Sequence, residues 1–468
     1  MRSRVLSALI ASLCLIPVGR VTAQTFTTLY SFTGGSDGIN PYGGLLLLGN
    51  TLYGTTSGGI YLNGTVFKVN TDGTGFSPLH TFVGSDGANP MAGLILSGNI
   101  LYGTTYNGGS NGAGTVFKMN TDGTGFTTVY TFTNYSDGLH PQAGLVLSGN
   151  SLYGTTLGGG SDNSLGPTGT IFKVSTDGLV FMVLHTFTGN SDGAEPAGGL
   201  ILSGNTLYGT AQDGGLSIDG REVVLGTVFA INTDGTGFTV LHSFDNSDGT
   251  DPSGQLILSG NTLYGTTKGG GNYGVGTIFQ VNTDGTGFTN LYLDFNLDNG
   301  ENPVAGLILS GNTLYGTTSQ GTDYPSYLGG TVFSINTDGT SYTTLHAFNQ
   351  EGQKGIGGDN PYAGLILSGY TLYGTTYNGS DVQNVNYGTI FSLTFGSPTT
   401  PPLAIIPSGT NVVLMWPTNA IGFTLESTTN LASPHGWNPV SPGPVVTYGQ
   451  YTVTNPISGT QQFYRLGQ

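Results

Sequence analysis

The chain has 468 residues, 82 of them glycine, with 37% apolar and only 8% charged residues. Glycine without a three-residue period excludes a collagen helix, and 25 Tyr and 23 Phe set in a regular pattern exclude a disordered chain. The length suits two or more domains, and a formal charge of −16 argues against nucleic acid and anionic membrane surfaces as partners.

Residues 1–23 read as an export signal. Arg2 and Arg4 precede the apolar run VLSALIASLCLI (residues 5–16), and Val21-Thr22-Ala23 places small residues before a cleavage point at Gln24. The apolar run is too short for a stable bilayer anchor. A lipid attached at Cys14 fits less well, because bulky Leu13 stands where a small residue is expected. Cys14 is the only cysteine and departs with the signal, so disulfide and thiol chemistry are excluded from the mature chain. Cleavage also removes Arg2, Arg4 and Arg20, leaving 7 basic against 26 acidic side chains, a charge of −19. The expectation is a secreted or cell-surface protein, monomeric, with no membrane span once the signal is removed.

From Gln24 to residue 396 one unit recurs. Leu-Tyr-Gly begins at Leu52, Leu101, Leu152, Leu207, Leu263, Leu314 and Leu372, at spacings of 49 to 58 residues. GTVF or GTIF begins at Gly64, Gly114, Gly169, Gly226, Gly276, Gly330 and Gly388. In the unit spanning residues 93–132, GLILS reads as a strand covered on both faces and Gly98-Asn99 as a tight turn. ILYGTT, TVFKMN and GFTTVYTF supply three further strands, with Asp122-Gly123 turning into the last. Four antiparallel strands per unit, repeated, describe a β-propeller blade. In Leu-Tyr-Gly-Thr, Leu and Gly share one face and Tyr takes the other, an alternation suited to packing between blades.

The ends of the array carry the sharper argument. The Asp-Gly turn before a fourth strand occurs six times, at Asp72, Asp122, Asp177, Asp234, Asp284 and Asp338, so the seventh unit stops after its third strand. Residues 25–32, TFTTLYSF, form an orphan fourth strand, with Phe26, Leu29 and Phe32 matching Phe76, Leu79 and Phe82. The reading is a seven-bladed propeller closed by the N-terminal strand. Burial of the three side chains would stabilise that closure by roughly 1.5–3 kcal/mol each.

The unit SGNTLYGTT…GTVFKVNTDGTGFT resembles the GloVer tandem-repeat family of exported bacterial proteins, also described as choice-of-anchor repeat proteins. The resemblance covers about residues 25–395. It implies export and a propeller-like array, and brings no catalytic residues with it.

Residues 397–402, SPTTPP, read as a linker. Residues 403–468 then change character. Short strands around Trp416, Phe423 and Phe463-Tyr464-Arg465-Leu466 resemble a small β-sandwich of the immunoglobulin or fibronectin-III kind.

Propeller ligands usually lie where loops lead into the innermost strand and where loops join the second and third strands. The first set reads SDGxxP. Asp37, Asp86, Asp137, Asp192 and Asp248 recur there, with Asp298 near the equivalent place. A ring of carboxylates suits Ca²⁺, although Asp before Gly also forms a local side-chain turn, and that reading is favoured. No other cofactor is expected. His80, His185, His242 and His346 alternate with Tyr30, Tyr130 and Tyr292 at one repeat position, which marks packing. The second set of loops lengthens irregularly and offers Asp213, Asp219, Arg221, Glu222, Tyr324, Tyr327, Tyr377 and Tyr387 for sugar binding by stacking and hydrogen bonds. No nucleophile elbow, phosphate loop or nucleotide fingerprint occurs. The expectation is a non-enzymatic protein that binds an extracellular glycan or protein. The alternative is a glycoside hydrolase or lyase using carboxylates of the irregular loops.

Overall fold

Most strands form where threonine, β-branched and aromatic residues run for three to seven positions, and glycine with positive φ turns the chain between them. The computed structural model describes residues 24–467 apart from 60–62, 134–135, 161–167, 215–224, 322–328, 349–356, 380–386, 396–402 and short stretches of the C-terminal segment (409–410, 418–423, 429–437, 442, 448–449 and 457–462). The export signal and the linker therefore lie outside the described residues. Among these residues there is no helix, and none long and apolar enough to cross a membrane.

In the first unit Leu46–Leu48, Thr51–Thr56, Thr65–Asn70 and Ser77–Thr81 pair in that order as an antiparallel sheet. Gly49, at φ 58, makes the turn between the first two strands. Five more sheets repeat the order within their own units. In the last, Ile366–Ser368, Thr371–Thr376 and Thr389–Thr394 take Thr25–Ser31 as their fourth strand. This pairing runs from Thr25↔Thr394 to Ser31↔Thr389, with an irregularity between Thr28 and Tyr30. The first sheet breaks register at the matching place, between Val66 and Phe67. The strand from the start of the chain thus copies the bulge of the strands it resembles. The result is a propeller-like all-β array.

Each sheet shares a core with the next. Tyr53, Val66 and Phe82 of the first unit pack with Leu94, Leu101, Phe117 and Met119 of the second. Tyr373 and Ile390 of the last sheet pack with Leu45, Leu52, Phe67 and Val69 of the first.

A belt of stacked rings marks the same junctions. Tyr30 lies on Phe76 (ring centroids 3.8 Å apart), His80 on Phe126 (3.7 Å), Tyr130 on Phe181 (3.9 Å) and His185 on Phe238 (3.8 Å). His242 lies on Phe288 (3.5 Å), Tyr292 on Tyr342 (4.1 Å) and His346 on Phe26 (3.9 Å). The position that alternates between His and Tyr is therefore a packing position.

The repeated phrase also has a reason inside each sheet. Gly54 pairs directly with Phe67, and a Cβ on it would stand 2.5 Å from that ring. Glycine leaves room for the phenylalanine of its own sheet, which refines the expectation of packing between blades. The two threonines that follow are buried and divide their roles. Thr55 Oγ1 donates to Ala92 O of the next unit (3.0 Å), while Thr56 Oγ1 meets Thr65 Oγ1 within its own sheet (2.8 Å).

In the C-terminal segment, Ala404–Ser408, Asn411–Pro417, Gln450–Pro456 and Val445–Thr447 form one sheet, and Asn438–Pro439, Thr424–Thr428 and Phe463–Gly467 form another. Leu414, Trp416 and Val453 of the first share a core with Leu425 and Leu466 of the second.

Candidate functional site

The seven aspartate-bearing lead-in loops end in the same way. Asn40, Asn89, His140, Glu195, Asp251, Asn302 and Asn360 each precede a proline and hold φ between 52° and 60°. Left-handed backbone is uncommon outside glycine, and a following proline disfavours helical conformations of the residue before it. Hydrogen bonds to two units hold the kink. Asn89 N donates to Asn63 O of the preceding unit (2.7 Å), and Asn89 O accepts from Tyr106 N of its own (3.0 Å). The side chain adds a second tie backwards: Asn40 Nδ2 to Tyr377 O (2.8 Å), Asn89 Nδ2 to Ser57 O (2.7 Å) and Asn360 Nδ2 to Ser319 O (2.7 Å).

This kink turns the next residues towards the axis. The residues after the prolines are Tyr42, Met91, Gln142, Ala197, Ser253, Val304 and Tyr362, and all seven line a cavity of about 290 Å³. Two residues further on, Gly44, Gly93, Gly144, Gly199, Gln255, Gly306 and Gly364 form a ring. Its backbones lie close together: a Cβ on Gly93 would stand 2.9 Å from Gly44 O, and one on Gly364 3.3 Å from Gly306 O. A second cavity, of about 280 Å³, shares this ring and is lined beyond it by Leu94, Ile95, Ile308 and Ile366. The two cavities meet at this ring: the first is the mouth, and the ring is the waist between them.

The mouth has two unlike sides. Tyr42 stacks on Tyr362 (centroids 5.3 Å apart), and both meet Tyr377 edge-on at 6.0 Å and 5.4 Å. Burial, then the neighbouring phenols, push the Tyr42 hydroxyl above the usual tyrosine range, and burial with Tyr377 does the same to Tyr362. The other side presents Gln142, Gln212, Gln255, Asn302 and Gln320, with Lys268 the only charged residue among those lining the mouth.

Carboxyl groups stand behind this second side. In three units an amide pair bridges the kink residue and the loop after the second strand: Asn107 Nδ2 to Asn89 Oδ1 (3.0 Å), Asn378 Nδ2 to Asn360 Oδ1 (2.7 Å) and Asn302 Nδ2 to Gln320 Oε1 (2.6 Å). In the fourth unit the same two places hold Glu195 and Asp213, whose carboxyl groups hydrogen-bond each other. Burial, then Asp213, push Glu195 above the usual carboxyl range. Burial, then Asp251, raise Asp213. Gln212 Nε2 also donates to Glu195 Oε2 (3.1 Å).

The lead-in aspartates are not brought together. Asp37 accepts from Thr33 N (2.7 Å), Thr33 Oγ1 (2.8 Å) and Tyr30 OH (3.1 Å), and burial with Asp37 pushes the Tyr30 hydroxyl up to about 12. Asp137 accepts from Tyr130 OH (2.9 Å) and the Thr133 hydroxyl (2.8 Å). Asp86, Asp192 and Asp248 meet Nε2 of His80, His185 and His242 at 2.9, 3.1 and 2.9 Å. Burial raises Asp192, but bonds from His185 and Thr188 outweigh it and hold the carboxyl below its usual range. Each aspartate closes a turn and ties it to the ring belt of the preceding unit, and among the described residues no three His, Cys, Asp or Glu side chains cluster to hold a metal. The sixth unit uses Asn299, not Asp298: its Oδ1 accepts Asn296 N (2.9 Å) and its Nδ2 reaches Tyr292 OH (2.9 Å). The seventh has Gly357 there, against the ring of Phe26.

Of the loop residues singled out by sequence, Tyr377 packs edge-on against the mouth residues Tyr42 and Tyr362, and Asp213 stands behind the lining. Tyr387 lies under Gly34 and packs on the core shared by the last and first sheets. Asp219, Arg221, Glu222, Tyr324 and Tyr327 lie outside the described residues. The residues after the prolines escaped the sequence reading. Their signal was available: one position that differs in nearly every unit inside a frame that hardly varies.

A tandem array of propeller-like sheets with an axial mouth is the class that this fold and site define. The chain belongs to the Gloeobacter/Verrucomicrobia repeat family, whose model matches residues 19–223 and 215–391. No curated protein matches the sequence. Among solved structures, a puromycin-hydrolysing peptidase of Mycobacterium tuberculosis is similar at 11% identity and a TM-score of 0.50, over 84% of this chain and 61% of that one. A GH74 enzyme of Niastella koreensis aligns at 17% identity and a TM-score of 0.48, over 84% and 59% of the two chains. An oligogalacturonate lyase in complex with manganese aligns at 12% identity and a TM-score of 0.47, over 81% and 95%. At such identities only the fold is compared.

Proposed function

We propose that this is an exported, non-enzymatic repeat protein that binds a glycan, free or carried on a protein, outside the cell or at its surface, through the axial mouth. One observation carries the reading. The position after the lead-in proline is occupied by Tyr, Met, Gln, Ala, Ser, Val and Tyr in the seven units, while the proline before it and the leucine three places after it recur in all seven. Variation of side chains that line one cavity, inside a frame that recurs, is what a recognition site on a repeated scaffold requires. Stacked tyrosines on one side suit the apolar face of a sugar, and carboxamides on the other suit its hydroxyls. Export is supported by the pattern of residues 1–23. Ca²⁺ is not needed for this mode of binding.

A glycan array probed with the mature protein, with and without Ca²⁺, tests the reading. Retained glycans should lose at least tenfold in affinity for the Tyr42→Ala/Tyr362→Ala variant. An array on which the wild type retains nothing, or binding that the variant leaves unchanged, overturns it.

The paired carboxyls of Glu195 and Asp213 favour a second reading, a glycoside hydrolase or lyase, because neighbouring carboxyls with raised pKa are suited to acid chemistry. They stand behind the mouth lining, which favours binding over turnover. Release of soluble sugar from a polysaccharide by the wild type, abolished in Glu195→Gln, would establish the enzyme instead.

A further inference from the structure

The waist between the two cavities holds one exception. Six units place glycine there, and the fifth places Gln255. Glycine is required where a Cβ would press on the neighbouring carbonyl, as between Gly93 and Gly44. Gln255 is accommodated because its side chain leans over Gly199, where a Cβ would stand 3.1 Å from Gln255 Nε2. That nitrogen donates to Leu200 O of the preceding unit (2.9 Å), so the carboxamide is held in place. Gln255 lines both the cavity of about 290 Å³ and the one of about 280 Å³, and it is the only side chain of the ring.

We infer that Gln255 is a specificity-determining residue that blocks the waist, so that the mouth takes the terminal sugar of a chain and excludes an internal segment. The end-binding part rests on the mouth being the glycan site; the blocked waist does not. One carboxamide hydrogen is committed to Leu200 O, which leaves Oε1 and the second N–H to the two cavities that Gln255 lines. A free chain end carries the additional hydroxyl that such a carboxamide can bind. An internal sugar would have to continue through the waist.

Two experiments separate the parts. Crystals of the wild type, Gln255→Gly and Gln255→Leu are soaked in tetraethylene glycol, a slim flexible chain. Its density should cross the ring only in Gln255→Gly, because leucine keeps the bulk. Density crossing in the wild type, or failing to cross in Gln255→Gly, overturns the block whatever the natural ligand is. For glycans that the array retains, 4-O-methylation of the terminal sugar should weaken wild-type binding at least tenfold and Gln255→Gly binding less than threefold. Gln255→Leu should bind the unmodified glycan about fivefold to tenfold more weakly, the effect of one lost hydrogen bond. Equal loss from methylation in the wild type and Gln255→Gly overturns end recognition. An array that retains nothing removes end recognition together with the proposed function, while the soaks still decide the block.

Discussion

The ring belt and the axial mouth are built on the same repeats and follow opposite rules. At the belt every unit offers His or Tyr to a Phe or Tyr of the next, at centroid distances of 3.5 to 4.1 Å. At the mouth the residue after the proline changes from unit to unit within an almost fixed backbone. Where a unit must join its neighbour, one solution is reused, since any misfit would be passed around the array. Where a side chain faces the cavity, each unit is free to differ. The junction made by the N-terminal strand, His346 on Phe26, lets the belt be tested against itself.

The largest effect should come from the belt rings. Phe26 contacts His346, Phe348 and Phe391, much as Phe126 contacts His80, Phe82 and Phe117. Phe26→Ala and Phe126→Ala should each lower the unfolding free energy by about 3–5 kcal/mol in denaturant titrations. A much smaller loss for Phe26→Ala would mean that the N-terminal strand clasps the last sheet only weakly.

The next effect separates His346 from its counterparts. His80, His185 and His242 face carboxylates, but Gly357 stands where the seventh unit would carry one. The Nε2 of His346 is sealed from solvent without a partner among the described residues. Burial holds the ring down to about 4. An unfolded histidine titrates near 6.5, so between pH 6.5 and 4 the unfolded chain binds the extra proton and stability falls with pH. This group alone should cost roughly 3 kcal/mol by pH 4. His346→Phe keeps the stack and should flatten that part of the pH profile. An unaltered profile would assign acid sensitivity elsewhere.

The smallest effect belongs to the mouth. Glu195 and Asp213 have raised pKa values, so their contribution is intact below the usual carboxyl range and is lost as pH rises through the folded values. Glu195→Gln restores the kind of amide pairing found at Asn89 and Asn107. It should raise stability at pH 7 by about 0.5 kcal/mol and change nothing near pH 4. A loss at pH 7 would show that the carboxyl pair supports the fold.

Much of the array could be read from the chain because its units repeat an entire phrase. The orphan TFTTLYSF could be matched with the missing strand, and Asp72 recognised as a turn former; Thr74 N and Oγ1 indeed donate to its carboxylate at 2.9 and 2.7 Å. The mouth was hidden for the same reason. A search for what recurs passes over single positions that do not, and the stacking of Tyr42 on Tyr362 joins units far apart in sequence. Asp298 stands one residue from the equivalent place, which Asn299 fills in the sixth loop. Tyr387 seemed available only because nothing in the sequence announces that Gly34 leaves room above its ring.

The pairing of Thr25–Ser31 with Thr389–Thr394 has a consequence for biosynthesis. Thr25–Ser31 must wait for Thr389–Thr394, more than 350 residues later, before its hydrogen bonds and its phenylalanines are covered. A chain that stops short leaves that strand without a partner and a sheet edge open to aggregation or proteolysis. Unfinished molecules therefore carry their own mark for removal, while complete ones conceal it.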